Sequence, residues 1–339
     1  GYVGGSVLSR LITHSGLQPA EISVLVRSED KAKVLEKLGL VTIIGSYEDV
    51  NEVEKLASQV DVVFSCVSLS DNYPPAMNAI LKGLKQRHVD TGTIPVLIHT
   101  SGTGIVANDD RGMSAPDVIY DDLHLEPIEK LPTDAPHRAS DLLAVEADTE
   151  GYVRSYIILP GTVWGLASGP LVEANVQKAH SDQIPALVRA SLDRRRGGMV
   201  GKGLAMKPNV SIEELADLFI VLYDAITENA QAVSHGREGY YFAENGEHRW
   251  YEISKEISRV LFSMGISQYD EPSAFTTQEL VKYFGSEERG YGYGASSRCL
   301  AKRARQYGWK PVKSTHDMIK SIEEEVVTIV NKYSGLDKL

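Results

Sequence analysis

The chain has 339 residues, which is enough for one large domain or two closely joined ones. Its net charge of −11 argues against nucleic acid as a main partner, because binding a phosphate backbone needs a basic surface. The sequence has no run of about 18 apolar residues, so it predicts no membrane span. Two distant cysteines and no histidine-rich spacing argue against a disulfide framework and a metal site. We therefore expect a soluble, cytoplasmic protein.

The first five residues predict a phosphate-binding turn. Gly1-Tyr2-Val3-Gly4-Gly5 runs directly into an amphipathic segment that is typical of a helix. Glycines allow the backbone to turn tightly and to approach a pyrophosphate, and the free N–H groups of a helix N-terminus favour an anion. The strand that normally feeds such a turn does not precede Gly1. We therefore expect the functional protein to carry roughly ten further N-terminal residues, the usual length of a strand and its turn.

Short apolar strands alternate with helices over the first hundred residues. The sequence predicts strands at 22–26, 41–44, 61–67 and 95–100, and helices at 5–15, 30–38, 48–58 and from 74 onwards. The strands are almost continuously apolar and the links are short, which is typical of a parallel sheet covered by helices on both faces. The prediction is an α/β fold with a doubly wound parallel sheet, a Rossmann fold.

The second half is predicted to be mainly helical. Residues 107–138 are polar and proline-punctuated, so they are predicted to form a loop, and a strand is predicted at 153–159. Helical periodicity extends over 139–150, 183–193, 211–227, 250–263, 275–284, 298–307 and 315–333.

Five landmarks, in order along nearly the whole chain, resemble the extended short-chain dehydrogenase/reductase family, the fold of sugar-nucleotide epimerases and dihydroflavonol reductases. They are Gly1–Gly5, His99–Thr103, Leu159–Gly165, Asn209–Asp217, and Arg298 with Gly308–Pro311. The resemblance implies a dinucleotide-binding Rossmann domain of residues 1–164 with about 209–265. It also implies a smaller substrate domain of about 165–208 and 266–312, followed by a C-terminal helix over 313–339.

In this family the dinucleotide lies outside the carboxyl ends of the strands. The resemblance therefore implies a cofactor site made of Gly1, Tyr2, Val3, Gly4, Arg27, Ser28, Lys31, Ser65, Cys66, Val67, Thr100, Ser101, Pro160, Thr162 and Val163. An acidic residue after the second strand would favour NAD, but here Arg27-Ser28 stands there, with Lys31 one turn later. Basic and hydroxyl groups suit the 2′-phosphate of NADP, so we expect NADP rather than NAD. The alternative is that Arg27 only ends a strand in solvent.

The family's chemistry uses a tyrosine as general acid, with a lysine four residues later. At the expected place His137 replaces the tyrosine and Asp141 replaces the lysine. A carboxylate favours a protonated imidazole, so the pair would form a proton donor that acts near neutral pH. The alternative is that His137 only begins a helix and that Asp141 is a solvated acid.

Three further features bear on the chemistry. Tyr120, in an acidic loop, is a substitute proton donor. Ser101 and Thr103 flank Gly102, which stands where the family has its substrate-orienting serine, and we expect one of these hydroxyl groups to reach the nicotinamide or the substrate. The segment Gly290–Gly294 alternates glycine and tyrosine, which suits either a lid over an apolar substrate or a surface loop packed on neighbouring helices.

These features together predict an NADP-dependent oxidoreductase that acts on a small carbonyl or alcohol substrate, with the reacting carbon near Thr103. Two alternatives stay open. One is an NADP-binding regulator that has lost catalysis, similar to the NmrA-like redox-sensing proteins. The other is an isomerase or epimerase that uses its cofactor transiently. The resemblance also implies a homodimer formed through helices over 74–87 and 139–150.

Overall fold

The computed structural model describes residues 1–17, 20–66 and 73–336. The α-helices are α1 (Tyr2–Thr13), α2 (Glu29–Glu36), α3 (Val50–Ala57), α4 (Pro74–Thr91), α5 (Glu126–Glu129), α6 (Arg138–Thr149), α7 (Pro170–Glu173), α8 (Gln183–Arg194), α9 (Ile212–Asn229), α10 (Trp250–Ser263), α11 (Thr277–Phe284), α12 (Glu287–Tyr291), α13 (Arg303–Gln306) and α14 (Thr315–Leu336). The strands are β1 (Ser23–Val26), β2 (Val41–Ile44), β3 (Val62–Ser65), β4 (Val96–Thr100), β5 (Tyr120–Asp121), β6 (Arg154–Pro160), β7 (Thr162–Trp164), β8 (Gly198–Met199), β9 (Met206–Ser211), β10 (Tyr240–Ala243), β11 (Glu247–Arg249), β12 (Ser273–Ala274) and β13 (Cys299–Leu300).

A parallel sheet with the strand order β10-β6-β4-β3 forms the centre of the molecule. Every residue of β4 is buried, because the strand lies between two others and is covered on both faces. The strands all run the same way, so their carboxyl ends, at Ser65, Thr100 and Pro160, meet at one edge. The predicted α/β class with a parallel sheet is confirmed.

Strands β1 and β2 form a separate parallel pair. Within the described ranges, neither of these strands pairs with β3.

Three hydrophobic cores support the described part of the fold, and the smallest of them packs α1, α2 and α7 against β1. The first packs the central sheet against helices α4, α6 and α9, and the second packs α8, α10 and α14 together. A small sheet with the order β11-β9-β7 leads from the end of β6 into the second half of the chain. The expected division into a Rossmann and a substrate domain stays a prediction, as does a homodimer through α4 and α6. No helix in the described ranges is both long and apolar enough to span a membrane.

The helix predicted over 298–307 is wrong in its first half. Cys299 and Leu300 form strand β13, which pairs in parallel with β5, and only Arg303–Gln306 is helical. The cause is tertiary, because the buried Asp122 carboxylate accepts the backbone N–H groups of Lys302 and Arg303 at 2.9 Å each. These bonds fix an extended chain up to the start of α13. The short strands β9 and β10 were not predicted at all.

The Glu214 carboxylate joins helix α9 to the segment before α14 by hydrogen bonds. Its Oε1 accepts the backbone N–H groups of Val312 and Lys313, at 2.5 and 2.8 Å, and its Oε2 accepts the Ser211 hydroxyl at 3.0 Å. The residue is only 7% exposed. Removing this carboxylate would therefore leave the buried Ser211 hydroxyl and two partly buried backbone N–H groups without their acceptor.

We expect Glu214→Ala to lower the free energy of unfolding by about 2–4 kcal/mol, because unpaired buried donors are costly. The matched control is Glu213→Ala, which removes only a half-exposed ion pair with Lys313 and should cost less than about 1 kcal/mol. Urea unfolding of both variants measures the difference. Equal losses would contradict the role given to Glu214.

Candidate active site

The head of helix α1 packs directly against the end of β3. Gly1 precedes the helix, Tyr2 and Val3 lie in its first turn, and the Tyr2 hydroxyl donates to the Gly165 carbonyl oxygen at 2.6 Å. A Cβ added to Gly4 would lie 3.2 Å from the Cβ of Cys66. The glycine thus lets the helix start come close to the sheet edge, as a phosphate-binding turn requires.

Cationic side chains surround this helix start. Lys31, Lys178 and Arg27 all lie close enough to Gly1 to place positive potential at the start of α1. Lys31 Nζ also donates to the Val176 carbonyl oxygen at 3.1 Å. Sequence reasoning missed Lys178, because that residue comes close to α1 only through the fold.

The Ser28 hydroxyl already takes part in a hydrogen bond in this structure. Its hydroxyl caps α2 by accepting the Lys31 backbone N–H at 3.4 Å. Arg27, just before it, is exposed at the end of β1. Of the two, Arg27 therefore has its polar group directed to solvent, where a ligand can reach it.

The remaining expected cofactor residues lie along the carboxyl edge of the sheet. Burial raises the pKa of the Cys66 thiol to about 11. Pro160 ends β6 and Val163 lies in β7. Thr162 is 1% exposed, and its hydroxyl has no hydrogen-bond partner among the described residues. Val67 lies outside the described residues.

A chain of buried polar groups crosses this edge from β3 to α6. Ser65 Oγ lies 3.3 Å from His99 Nδ1, and His99 Nε2 lies 3.7 Å from Asp141 Oδ1. Ser101 Oγ donates to Asp141 Oδ2 at 2.9 Å. His99 and Asp141 are both 0% exposed. The alternative that Asp141 is a solvated acid is therefore wrong.

His137 adopts an unusual backbone conformation at the start of α6. Its φ of 69° lies in the left-handed region, which is uncommon and costs a residue other than glycine roughly 1–2 kcal/mol. Such strain clusters at functional sites. The sequence gives no signal of it.

The His137 ring lies against the backbone of Gly102 and Gly104. A Cβ added to Gly102 would be 3.0 Å from His137 Nε2, and one added to Gly104 would be 2.8 Å from it. The backbone at Gly102 is extended, which any residue adopts, so space is the reason for glycine there. The imidazole thus fills the volume that a serine at position 102 would need.

The two other predicted catalytic residues, Thr103 and Tyr120, contact other parts of the chain. Thr103 is 4% exposed, and its hydroxyl lies 3.2 Å from the hydroxyl of Ser297, in the second half of the chain. Tyr120 is part of β5 and packs, half-buried, against the first core. The structure thus brings His137, Asp141 and Ser101 together, whereas Thr103 is tied to the second half of the chain.

We expect acid to destabilise the fold through His99. Burial, with a smaller effect from His137, lowers the pKa of His99 from 6.5 to about 3. Between these values the unfolded chain binds a proton that the folded chain does not, so stability is present above pH 6.5 and falls as the pH drops. The His99 contribution lost between pH 7 and pH 5 is about 2 kcal/mol.

Urea midpoints at the two pH values, for the parent chain and for His99→Gln, measure this contribution. The matched control is His124→Gln, since His124 is exposed. His99→Gln should reduce the pH dependence by the His99 share, while the equally buried His248 keeps its own share, and His124→Gln should leave the dependence unchanged. An unchanged pH dependence in His99→Gln would contradict the assignment.

Comparisons with known proteins agree with this architecture. The family model described as NAD(P)H-binding matches residues 1–119. The oxidase ucsJ of Acremonium sp is 30% identical over 329 residues, which cover 92% of this chain and 90% of that protein.

Solved structures show the same fold. UDP-glucose 4-epimerase of Thermotoga maritima is 13% identical with a TM-score of 0.62, covering 97% of both chains. The dTDP-glucose 4,6-dehydratase DesIV of Streptomyces venezuelae, with NAD bound, is 16% identical with a TM-score of 0.62, covering 99% of this chain and 96% of its own. The chain therefore belongs to the same family as the Acremonium oxidase, matches an NAD(P)H-binding domain over residues 1–119, and has the Rossmann fold of the sugar-nucleotide epimerases and dehydratases.

Proposed function

We propose that this protein is an NADP-dependent oxidoreductase that acts on a small alcohol or carbonyl substrate, with His137 as the group that exchanges the proton. The observation that carries the proposal is the His137 imidazole, held against Gly102 and Gly104 at the carboxyl end of β4. The name of the Acremonium relative, an oxidase, supports a redox reaction.

The residues present fit a dinucleotide. The start of α1 at Gly1–Gly4 would hold the pyrophosphate, since free N–H groups and the helix dipole favour an anion there. Arg27, with Lys31 and Lys178 nearby, would hold the 2′-phosphate of NADP. The Thr162 hydroxyl, which has no hydrogen-bond partner among the described residues, would supply one further buried polar contact. When bound, the nicotinamide supplies the hydride acceptor or donor.

The protein's own part in the reaction is to move a proton. Oxidation of an alcohol releases a proton from its oxygen, and imidazole is the side chain best suited to exchange it near neutral pH. Asp141 acts as a positioning residue, because its bond to Ser101 joins the loop after β4 to the first turn of α6. His137 begins that same turn, so the bond fixes where its ring lies.

We expect His137→Asn to lower turnover by about 10²–10⁴-fold, which is the usual value of a positioned proton-transfer group. Asparagine tolerates the left-handed conformation, so the fold and the NADPH affinity should stay close to those of the parent. Steady-state assays with a panel of alcohols and carbonyls, beside a fluorescence titration of NADPH, measure the two effects. The matched control is His124→Asn, at an exposed histidine.

Unchanged turnover in His137→Asn would contradict its catalytic role. Tight NADPH binding by the parent without turnover of any substrate in the panel would favour the regulator instead. Conversion of a substrate without net use of NADPH would favour an isomerase or epimerase.

We expect Arg27→Ala to weaken NADPH binding by about tenfold or more and to leave NADH binding nearly unchanged, because a charge-assisted bond to the 2′-phosphate is lost. The matched control is Lys33→Ala, which removes an exposed cation further along α2. Paired titrations with both cofactors measure the ratio. An equal loss of NADPH and NADH affinity would contradict recognition of the 2′-phosphate by Arg27.

A further inference from the structure

A second group of polar side chains is buried with few partners in the other half of the molecule. Lys207 in β9 lies opposite His248 in the antiparallel strand β11, so both side chains leave the same face of the pair. Lys207 is 8% exposed, and His248 and Trp250 are 1% exposed each. Among the described residues, neither ring nitrogen of His248 nor the indole nitrogen of Trp250 has a hydrogen-bond partner.

These donors lie close together. Lys207 Nζ is 5.7 Å from the centre of the Trp250 ring, and the rings of His248 and Trp250 meet edge to face with centres 5.2 Å apart. Lys207 Nζ has one long hydrogen bond, at 3.4 Å, to the Gly292 carbonyl oxygen. Within the described residues, no carboxylate lies within salt-bridge distance of this ammonium group.

Lys207, His248 and Trp250 together carry one positive charge near pH 7. Burial, and after it the charge of Lys207, lowers the pKa of His248 to about 3, so the imidazole is neutral near pH 7. Burial lowers the pKa of Lys207 to about 8, which leaves it mainly protonated there. A buried ammonium group without a counter-ion is costly, and neutral donors without acceptors add to that cost. An acceptor with one negative charge would offset both costs.

Hydrogen bonds connect this group to the candidate active site. The Ser297 backbone N–H donates to the carbonyl oxygen of Met206, the residue before Lys207. The hydroxyl of the same serine meets Thr103. On the other side, Gly292 and Tyr293 line a cleft of about 410 Å³. Hydrogen bonds thus link the group to Thr103 through Ser297 and to the lining of that cleft through Gly292.

The geometry points to a binding site for a substrate carboxylate, formed by Lys207, His248 and Trp250. This inference rests on the proposed function and deepens it, since it makes the substrate a small organic acid that carries an alcohol or carbonyl group. A carboxylate has one charge and two acceptor oxygens, which matches one ammonium and neutral N–H donors. A phosphate dianion would leave one negative charge unbalanced in a buried place.

Binding of benzoate and of its neutral counterpart benzamide to the full chain with NADPH, measured by calorimetry, tests the site without turnover. The parent should bind benzoate, and Lys207→Met should weaken that binding by about tenfold or more with benzamide unaffected. Methionine keeps the length of the side chain and removes a buried charge, so the variant should fold. Lys207→Arg should restore part of the affinity. The matched control is Lys202→Met, at an exposed lysine in the preceding turn.

Equal benzoate affinity in the parent and in Lys207→Met would overturn the inference. So would inorganic phosphate that binds more tightly than benzoate in a Lys207-dependent manner, since that result assigns the site to phosphate. Benzoate binding that depends on Lys207 supports the anion site even where no alcohol or carbonyl is turned over. In that case the oxidoreductase proposal fails separately.

Discussion

The buried hydrogen bond between Ser101 and Asp141 is the interaction on which the candidate active site depends. It joins the loop that leaves the central strand to the first turn of α6, and both groups are almost completely shielded from water. A buried carboxylate is stable only with hydrogen-bond partners, so neither element can shift without exposing an unpaired group. The position of His137 follows from this constraint, because that residue begins the same helix.

Two expected departures from the family pattern, at positions 137 and 102, concern the same volume next to that bond. From the sequence we expect a histidine in place of the family's tyrosine and a glycine in place of its serine, and in the structure the His137 imidazole lies against Gly102 and Gly104 in the loop after β4. A side chain at Gly102 and the present ring of His137 would require the same space. The two replacements therefore depend on each other, and this mutual dependence argues that the imidazole is part of the site rather than a chance residue at a helix start.

Much of the fold was predictable, because burial on both faces makes the central strands continuously apolar. Strand β2 and helix α10 begin and end where the sequence predicts them. The contacts of the site were less predictable, since they join residues far apart in the chain. No local sequence pattern predicts the left-handed backbone of His137 or the position of Lys178 near the start of α1. The error at β13 has the same cause, because Asp122 overrides a local helical preference.

Burial also decides where charge remains in this molecule. His99 and His248 are buried so deeply that their pKa values fall to about 3, and both are therefore neutral near pH 7. Three cations, Arg27, Lys31 and Lys178, lie near the start of α1, where the proposed dinucleotide would need them. Lys207 is the exception, a mainly charged group that burial penalises and no carboxylate within the described residues compensates. The proposed carboxylate ligand would offset this cost, and costly buried charges of this kind are characteristic of functional sites.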